Sequence, residues 1–342
     1  MRRFFLVLIL LVGIAAGAAG TVLYRLTREP YKGYQGPEQF VDLPQGSSGP
    51  EIGRRLVDAG VVRDVLTFRV ALWEAGQARR LRAGEYRFDH PVTPLEVVDK
   101  IRRGDVYEHR VTFPEGLTID DMAPLFEARQ LGLAASFKEA AKDPAPVAAF
   151  DPEARDLEGY LFPETYSLPR GTPASRLVRL MVDRFEEAFP PELRQAVVER
   201  GLTVRRAVTL ASLVEKETAR DDERPLVAAV YLNRLAIKMP MQCDPTVIYA
   251  LRKAGKYDGN IKREDLEFDS PYNTYRYPGL PPGPIAAPGR PSLEAAAHPA
   301  AVKYLYFVSR NDGSHVFAST LVEHNRNVRK YQVEYFREKR LR

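Results

Sequence analysis

The sequence predicts an α+β protein with a membrane-spanning N-terminal helix, a small α+β subdomain and a larger, mainly helical domain that contains a short β-hairpin. Three observations lead to this architecture. An uncharged run opens the chain, a strand–turn–helix pattern occurs twice in the first half, and amphipathic segments dominate the second half. We expect the chain to divide into segments 1–25, 26–40, 41–145 and 146–342.

The composition is that of a globular protein, with 45% hydrophobic and 28% charged residues among 342. The formal net charge of +5 is concentrated at the ends. Residues 1–32 carry +4 and residues 326–342 carry +5, which leaves −4 for the chain between them. Because nucleic-acid-binding proteins usually carry a basic surface on the folded body, we expect no nucleic-acid partner. The single cysteine, Cys243, excludes an internal disulfide and is expected to be a packed side chain.

The uncharged run from Phe4 to Tyr24 is long enough to cross a membrane. As a helix it would span about 30 Å, the thickness of the hydrocarbon core. A cleaved signal peptide is the alternative, since the small residues at 15–20 resemble a cleavage region. Both interpretations place the rest of the chain across the membrane. We favour an uncleaved single-pass anchor, because the run exceeds the apolar core of a typical signal peptide.

A linker and a repeated pattern follow the anchor. Residues 30–40 are rich in proline, glycine and polar side chains. The segment VDLPQG at 41–46 recurs as VTFPEG at 111–116, and each copy leads from a predicted strand into an amphipathic helix. This unit resembles the small carbohydrate-binding LysM module. Two unrelated β–α units of an α+β domain fit the same pattern.

The region between the two copies predicts another strand, at 83–88, and a capped helix. Thr93 is a candidate N-cap, Pro94 fits the first helical position, and Glu96 completes a capping box. Gly104 is placed to end this helix. The region therefore predicts a folded small domain, not a tether.

The second half of the chain predicts a helical domain. A short hairpin is expected around an Asn-Asp-Gly turn at 311–313, and a basic helix at 321–340. Four amphipathic helices are predicted at residues 177–188, 191–200, 203–219 and 224–237. A fifth helix is predicted at 245–253, where Asp244 can cap it and Pro245 fits the first helical position.

The segment TLASLVEKETA at 209–219 holds the best candidates for an acid. Glu215 and Glu217 flank its apolar stripe on opposite sides, so helical periodicity does not choose between them. A half-buried carboxyl holds its proton more tightly, which is the property of a general acid near neutral pH. The alternative is that both are boundary glutamates in salt bridges with Arg220 or Arg224.

Two aromatic segments surround this helix in the sequence. Residues 151–167 contain Glu158 and Tyr166, and residues 270–291 contain seven prolines and three tyrosines. Long ordered loops are usually functional, and tyrosine rings suit stacking on sugars. A long surface loop with structural tyrosines is the alternative. The five histidines lack metal-ligand spacing, and no serine-hydrolase elbow, P-loop or dinucleotide motif occurs, so we expect no metal and no cofactor.

Several motifs together resemble the MltG (YceG-like) family of endolytic murein transglycosylases. They are EGYLFPETY, ASLVEKETA, YLNRL, QCDPTVIYAL, YNTY, GLPPGPIAAPG, SLEAAAHPA and YLYFV. The similarity is most specific over residues 158–325, and the N-terminal part matches mainly in layout. Cys243 is a small departure, since a polar residue is more usual at that position.

The resemblance implies an inner-membrane (plasma-membrane) protein with a LysM-like subdomain and a catalytic domain on the periplasmic or cell-wall side. The implied reaction cleaves the β-1,4 bond between N-acetylmuramic acid and N-acetylglucosamine inside peptidoglycan glycan strands and leaves 1,6-anhydro ends. The implied partners are the glycan strands, the membrane and peptidoglycan synthases, beside which the family is thought to terminate strand elongation.

The resemblance also chooses between the two glutamates. Lytic transglycosylases commonly carry a small hydroxyl residue directly after the catalytic glutamate, so Glu217, followed by Thr218, is the implied acid and then base, with Glu215 as runner-up. Helix capping is the alternative role of Asp244. The implied substrate-binding residues are Glu158, Tyr166, Gln242, Asp244, Tyr272, Asn273 and Tyr275.

Two other functions fit the sequence. A hydrolytic muramidase would use the same acid together with a second carboxylate or a positioned water. A non-enzymatic, wall-binding scaffold would need only the anchor and the repeated unit.

Overall fold

The computed structural model describes residues 2–76 and 81–341. It is a mixed helix and sheet protein with an apolar N-terminal helix, as predicted. The strands are β1 (Gln39–Leu43), β2 (Gly84–Phe88), β3 (Glu108–Thr112), β4 (Thr165–Pro169), β5 (Tyr306–Ser309) and β6 (His315–Ala318). The helices of the first half are α1 (Arg2–Leu26), α2 (Gly49–Asp58), α3 (Val65–Glu74), α4 (Pro94–Arg103), α5 (Ile119–Ala128) and α6 (Ala134–Ala141).

The second half is mainly helical. Its helices are α7 (Ala174–Ala188), α8 (Pro191–Glu199), α9 (Val204–Glu217), α10 (Arg224–Ala236), α11 (Asp244–Lys253), α12 (Arg290–Ala297), α13 (Leu321–Val328) and α14 (Tyr335–Leu341). The five helices predicted between residues 177 and 253 are confirmed as α7–α11. The predicted final helix is also helical, with a π-helical stretch at Arg329–Glu334 between α13 and α14.

Helix α1 contains a stretch, Phe4–Leu26, that is long and apolar enough to cross a membrane. A core helix of a soluble protein would bury such side chains. Those of this stretch are instead largely exposed, from Phe4 at 72% to Leu8 at 46%. This is the arrangement expected of a segment whose apolar surface lies outside the folded chain.

The chain forms two compact units, Met1–His109 with Ser167–Gly171, and Arg110–Tyr166 with Thr172–Arg342. The four-segment division predicted above stays a prediction. The two strand–turn–helix copies correspond to β1 with α2 and to β3 with α5. Strands β3 and β4 form a two-stranded sheet.

In the first unit, β1 and β2 pair antiparallel with Val41 opposite Tyr86. The core between this sheet and the helices contains Leu56, Phe68 and Val97, each fully buried. The predicted cap of α4 is confirmed, since Thr93 Oγ1 accepts from the backbone amide at position 96 (3.1 Å), whose side chain accepts from the Thr93 amide in return (2.7 Å).

In the second unit, helices α9, α10 and α12 pack around a buried apolar core, and β5 pairs antiparallel with β6. Phe307 lies opposite Phe317 in this hairpin. A row of apolar side chains on α9 is completely buried, which fixes the rotation of that helix. Its members include Ala207, Leu210, Ala211 and Val214.

Candidate functional site

Helix α9 determines where the two candidate glutamates lie. Thr203 caps its N-terminus by accepting a hydrogen bond from the Arg206 amide (3.2 Å). The helix ends at Glu217, because Thr218 takes an extended conformation (φ −143°, ψ 138°). Glu217 is therefore the last helical residue, and Glu215 lies about half a turn earlier on the other side of the buried stripe.

Glu215 is a buried, fully paired carboxylate. Its side chain is 6% exposed, and its Oε1 lies 3.4 Å from Nη2 of Arg224, which is 5% exposed. Its Oε2 accepts hydrogen bonds from the Gly289 amide (2.9 Å) and the Ser292 hydroxyl (2.8 Å). These three partners hold the Glu215 carboxylate against α10 and the beginning of α12. Glu215 therefore joins α9 to the beginning of α12 and supports the fold.

Glu217 has a different environment. Its Oε1 accepts a hydrogen bond from the hydroxyl of the buried Tyr231 (2.7 Å). Within the described ranges 2–76 and 81–341, no cationic side chain lies within 4 Å of its carboxylate. The residue as a whole is half-buried, and Tyr231, Cys243 and Asp244 are among the groups that influence the pKa of its carboxyl.

Burial raises the pKa of Glu217, and the nearby charge of Asp244 adds to this effect. Hydrogen bonds from Tyr231 and Cys243 oppose it without cancelling it. The Tyr231 hydroxyl stays protonated, because its burial raises its own pKa well above the usual range. A carboxyl in this environment can keep a proton near neutral pH and donate it.

The hydrogen bond from Tyr231 leads to a direct prediction. Removing it in Tyr231→Phe should raise the pKa of Glu217 further, because the bond favours the ionised carboxyl. We expect kcat to fall about tenfold, the usual cost of one hydrogen bond to a charged group, and the alkaline limb of the pH–rate profile to move to higher pH. Tyr277→Phe, at a solvent-exposed tyrosine, is the matched control. An alkaline limb that stays in place or moves to lower pH would contradict this role.

The segment at the beginning of α11 carries two of the predicted residues, Gln242 and Asp244, on either side of Cys243. Gln242 and Asp244 are exposed, and the Cys243 side chain between them is fully buried. Gln242 has a φ of 49°, in the left-handed region that non-glycine residues rarely adopt. The Asp244 carboxylate accepts from the Tyr275 hydroxyl (2.5 Å). Asp244 is not the N-cap of α11, because Cys243 occupies that position. The alternative prediction that Asp244 caps this helix is therefore wrong.

The proline-rich loop is ordered by Asn273. This side chain is fully buried. Its amide nitrogen donates to the carbonyls of Leu266 (2.9 Å) and Phe268 (2.8 Å), and its oxygen accepts from the Tyr275 amide (2.9 Å). The amide is thus committed to the loop and positions Tyr275. The predicted contact of Asn273 with substrate stays a prediction.

A cavity of about 430 Å³ opens beside Asp244 and Tyr275. Its other walls come from Ile248 on α11 and from residues between 257 and 266. The volume lies in the range of small-ligand sites. Exposed polar side chains and a tyrosine hydroxyl at its rim give the hydrogen-bonding groups that a polar ligand requires.

Glu158 and Tyr166 share no recorded contact with Glu217. The Glu158 carboxyl accepts from the Ile119 amide (3.1 Å) and from the Tyr249 hydroxyl (3.3 Å). The Tyr166 hydroxyl donates to a backbone carbonyl of its own segment (2.8 Å). Both residues are buried, at 8% and 4% exposure. Their contact with substrate stays a prediction. The hydrogen bonds that they make in the structure join parts of the folded chain to one another.

Tyr272 contacts helix α11 through Tyr249. Its ring is half-buried, and the ring centroids of Tyr272 and Tyr249 are 4.9 Å apart. Nζ of Lys253 lies 5.3 Å from the Tyr249 ring and 5.5 Å from the Tyr272 ring. The loop tyrosine is thereby fixed against α11.

Burial raises the pKa of Glu158 to about 8. An unfolded glutamate loses its proton near pH 4.3, so the folded state binds more protons over about pH 4.3–8 and stability falls as the pH rises through this window. Glu158→Gln removes the titration. We expect the Tm of the variant, relative to wild type, to be higher at pH 8 than at pH 5. Thermal unfolding at the two pH values measures this, and a difference that does not change with pH would contradict it.

Sequence reasoning missed residues that hold the site together. Asn233 donates to the carbonyls of Val302 and Tyr304 (2.9 Å each). The buried Arg234 donates to the carbonyls of Leu305 (2.7 Å) and of the residue before Gln242 (2.6 Å). The signal was available in YLNRL, where two long polar side chains interrupt an otherwise apolar helix. Their partners lie far along the chain and could not be identified from the sequence.

The fold and the site define a mixed helix and sheet protein with a site of the general-acid type. Glu158 and Glu217 both have a raised pKa and a neutral hydroxyl donor, and Glu217 is the less deeply buried residue of the two. The exposed Asp244, a side chain suited to a polar ligand, is among the groups that influence the pKa of Glu217.

Comparison with known proteins identifies the family. The profile of the YceG-like family matches residues 41–330. A Bacillus subtilis protein named endolytic murein transglycosylase is 33% identical over 310 residues, which cover 85% of this chain and 84% of that protein. A Streptococcus pneumoniae protein of the same name is 31% identical over 324 residues, covering 84% of this chain and 57% of that protein. The chain belongs to the YceG-like family.

A solved structure supports the same assignment. The crystal structure of a putative YceG-like protein from Listeria monocytogenes shares 33% sequence identity and superposes with a TM-score of 0.58. The match covers 85% of this chain and 98% of that chain.

Proposed function

We propose that this protein is an endolytic murein transglycosylase, the activity for which its relatives in Bacillus subtilis and Streptococcus pneumoniae are named. It cleaves the β-1,4 bond between N-acetylmuramic acid and N-acetylglucosamine within a glycan strand. The observation that carries the proposal is the contrast between two neighbouring glutamates. Glu215 is neutralised by Arg224, whereas Glu217 has only neutral hydrogen-bond donors and a raised pKa.

Glu217 serves first as the acid and then as the base. Its carboxyl donates a proton to the glycosidic oxygen, and the bond from that oxygen to the anomeric carbon breaks with its electron pair on the oxygen. The 6-hydroxyl oxygen of the muramoyl residue then bonds to the anomeric carbon, and its proton goes to the Glu217 carboxylate. No water enters the reaction, and one well-placed carboxyl is sufficient. A hydrolytic muramidase would need a further carboxylate or a positioned water beside it.

Gln242, Asp244, Tyr272 and Tyr275 line the glycan-binding face in this proposal. The exposure of Gln242 and Asp244, and the cavity beside Asp244 and Tyr275, support this assignment. Asn273 acts as a positioning residue, because its buried amide holds the loop that carries Tyr275. Glu158 and Tyr166 support the same unit from its interior.

The proposal extends to location and partners. Helix α1 is an uncleaved single-pass anchor in the plasma membrane, and the catalytic unit lies on the periplasmic or cell-wall side. The strand–turn–helix units are LysM-like and bring the chain to the glycan, and peptidoglycan synthases supply the nascent strands that it shortens. The exposed apolar surface of Phe4–Leu26 supports the anchor.

Digestion of purified sacculi tests the activity. We expect soluble muropeptides with 1,6-anhydro ends, separated by chromatography and identified by mass. Cleavage at internal bonds should shorten long strands before disaccharides accumulate. Intact sacculi, even though the protein binds them, would instead support a wall-binding scaffold and contradict the proposal.

A further inference from the structure

Another polar pocket, of about 230 Å³, opens where the end of α11 meets the beginning of α5. It shares no lining residue with the cavity beside Asp244 and Tyr275. Both helices belong to the same compact unit. The walls of this pocket come from Thr118, Asp120, Asp121, Tyr249, Arg252 and Lys253.

Both carboxylates in these walls already have cationic partners. Nη1 of Arg252 lies 3.1 Å from each carboxylate oxygen of Asp121. Nζ of Lys138 lies 2.6 Å from Oδ1 of Asp120. The Thr118 hydroxyl also donates a hydrogen bond to Asp121 (2.8 Å). The negative charge of the pocket is therefore balanced without Lys253.

Lys253 is the cation of this pocket that has no carboxylate partner. Within residues 2–76 and 81–341, no carboxylate oxygen lies within 4 Å of its ammonium, and the ammonium donates no hydrogen bond to these residues. Its Nζ lies instead over two aromatic rings, 5.3 Å from that of Tyr249 and 5.5 Å from that of Tyr272. An aromatic face attracts a cation but leaves its N–H donors available. The exposed ammonium therefore suits an anionic ligand.

Buried hydrogen bonds hold this wall of the pocket in place. Tyr249 is 5% exposed, and its hydroxyl donates to the buried Glu158 (3.3 Å), which also accepts from the amide of Ile119 (3.1 Å) at the beginning of α5. These bonds join α11 to α5. Lys253 follows Tyr249 by four positions on α11 and so lies on the same side of the helix. Its position is therefore set by the core of the unit and not by a surface loop.

Lys253 also connects the pocket to the proposed glycan-binding face, because Tyr272 belongs to that face. Helix α11 begins at Asp244, on the same face, and ends at Lys253, about 14 Å further along its axis. Muramoyl residues of peptidoglycan carry short peptides with ionised carboxylates, which project from the glycan strand. An extended peptide of about four residues spans a similar distance.

We propose that this pocket binds a carboxylate of the peptide carried by a muramoyl residue, with the Lys253 ammonium as its ionic partner. The inference rests on the proposed function and adds a peptide subsite to it. A peptide subsite contributes equally to the binding of the substrate and of the transition state. Lys253 should therefore influence KM and leave kcat unchanged.

Cleavage of peptide-bearing glycan strands by the full chain in detergent tests this subsite with two paired changes. Lys253→Gln removes the cation, and chemical amidation of the peptide carboxylates removes the anion. Each change alone should raise KM about fivefold, the upper range for an ion pair at an exposed site, with kcat and Tm close to wild type. Together they should raise KM little more than either one does, because both remove the same interaction.

Lys256→Gln is the matched control. Nζ of Lys256 lies 5.1 Å from the Phe268 ring, so this lysine has a similar aromatic contact but lies outside the pocket. We expect its KM to equal that of wild type on both kinds of strand.

The outcomes separate this inference from the proposed function. Wild type is assayed first on unmodified strands, and the absence of anhydro products would refute the proposed function. If wild type cleaves, an unchanged KM in Lys253→Gln would overturn the peptide subsite. An equal rise in KM on unmodified and amidated strands would overturn it as well, because the lysine would then act on another part of the substrate.

Discussion

Replacing Glu217 with glutamine should abolish the formation of anhydro ends while leaving the fold intact. Glutamine has the shape of the protonated carboxyl, and its amide oxygen can still accept from Tyr231 (2.7 Å in the wild type). It cannot give up a proton to the glycosidic oxygen or accept one from the 6-hydroxyl. Because general acid–base catalysis typically contributes up to about 10⁴-fold, we expect kcat to fall about a thousandfold or more.

The measurement is the rate of anhydro-muropeptide release from sacculi, together with thermal unfolding and sacculus binding. Glu217→Gln should unfold at or slightly above the wild-type temperature, because the wild-type carboxyl is buried with a raised pKa. It should also still bind sacculi. Cleavage at the wild-type rate would contradict the assignment of Glu217, whatever the result for binding.

Replacing Glu215 with glutamine should have the opposite effect: it should lower the stability of the protein and leave most of kcat intact. The change removes the charge that faces Arg224 inside the protein, where both side chains are about 5% exposed. Breaking a buried ion pair by removing one partner commonly costs about 3–5 kcal/mol. We expect about 3 kcal/mol, the lower end of this range, because Arg224 keeps its contact with Asp221.

Urea unfolding of the two variants measures this difference directly. At a temperature where both are folded, Glu215→Gln should keep most of the wild-type kcat, and Glu217→Gln should not. The two substitutions are the same chemical change two positions apart on one helix. A loss of kcat in Glu215→Gln with unchanged stability would exchange the roles assigned to the two residues.

Local patterns made much of the fold predictable. Helices α7–α11 follow the period of their apolar residues, and the cap of α4 was evident from Thr93 and Glu96, because their hydrogen bonds close within three residues. The exact end of α9 was less clear. The pattern continued to residue 219, whereas the helix ends at Glu217 because Thr218 turns away to bind Glu223.

The roles within the site depended on distant parts of the chain. Helical periodicity does not choose between Glu215 and Glu217. They differ because Arg224 pairs with Glu215, to which Ser292 and Gly289, more than seventy positions away, also donate. The family resemblance selected Glu217 over Glu215, because Glu217 is followed by the small hydroxyl residue Thr218. The physical distinction appears only in three dimensions.

Residue type alone also overestimated how many side chains are available to bind a substrate. An asparagine in an aromatic loop suits sugar hydroxyls, yet the amide of Asn273 is consumed by backbone groups of its own loop. Asp244 was equally suitable as a helix cap or a site residue, and in the structure Cys243 holds the N-cap position while Asp244 accepts from the Tyr275 hydroxyl. Burial and partner choice are tertiary properties that a local pattern does not encode.

The most direct test of the central claim is cleavage of purified glycan strands in isotopically labelled water, followed by mass spectrometry of the new ends. Intramolecular attack by the 6-hydroxyl consumes no water, so we expect 1,6-anhydro-N-acetylmuramic acid ends without label, and no such ends from Glu217→Gln. Reducing N-acetylmuramic acid ends that carry the label would show hydrolysis and contradict the proposed reaction.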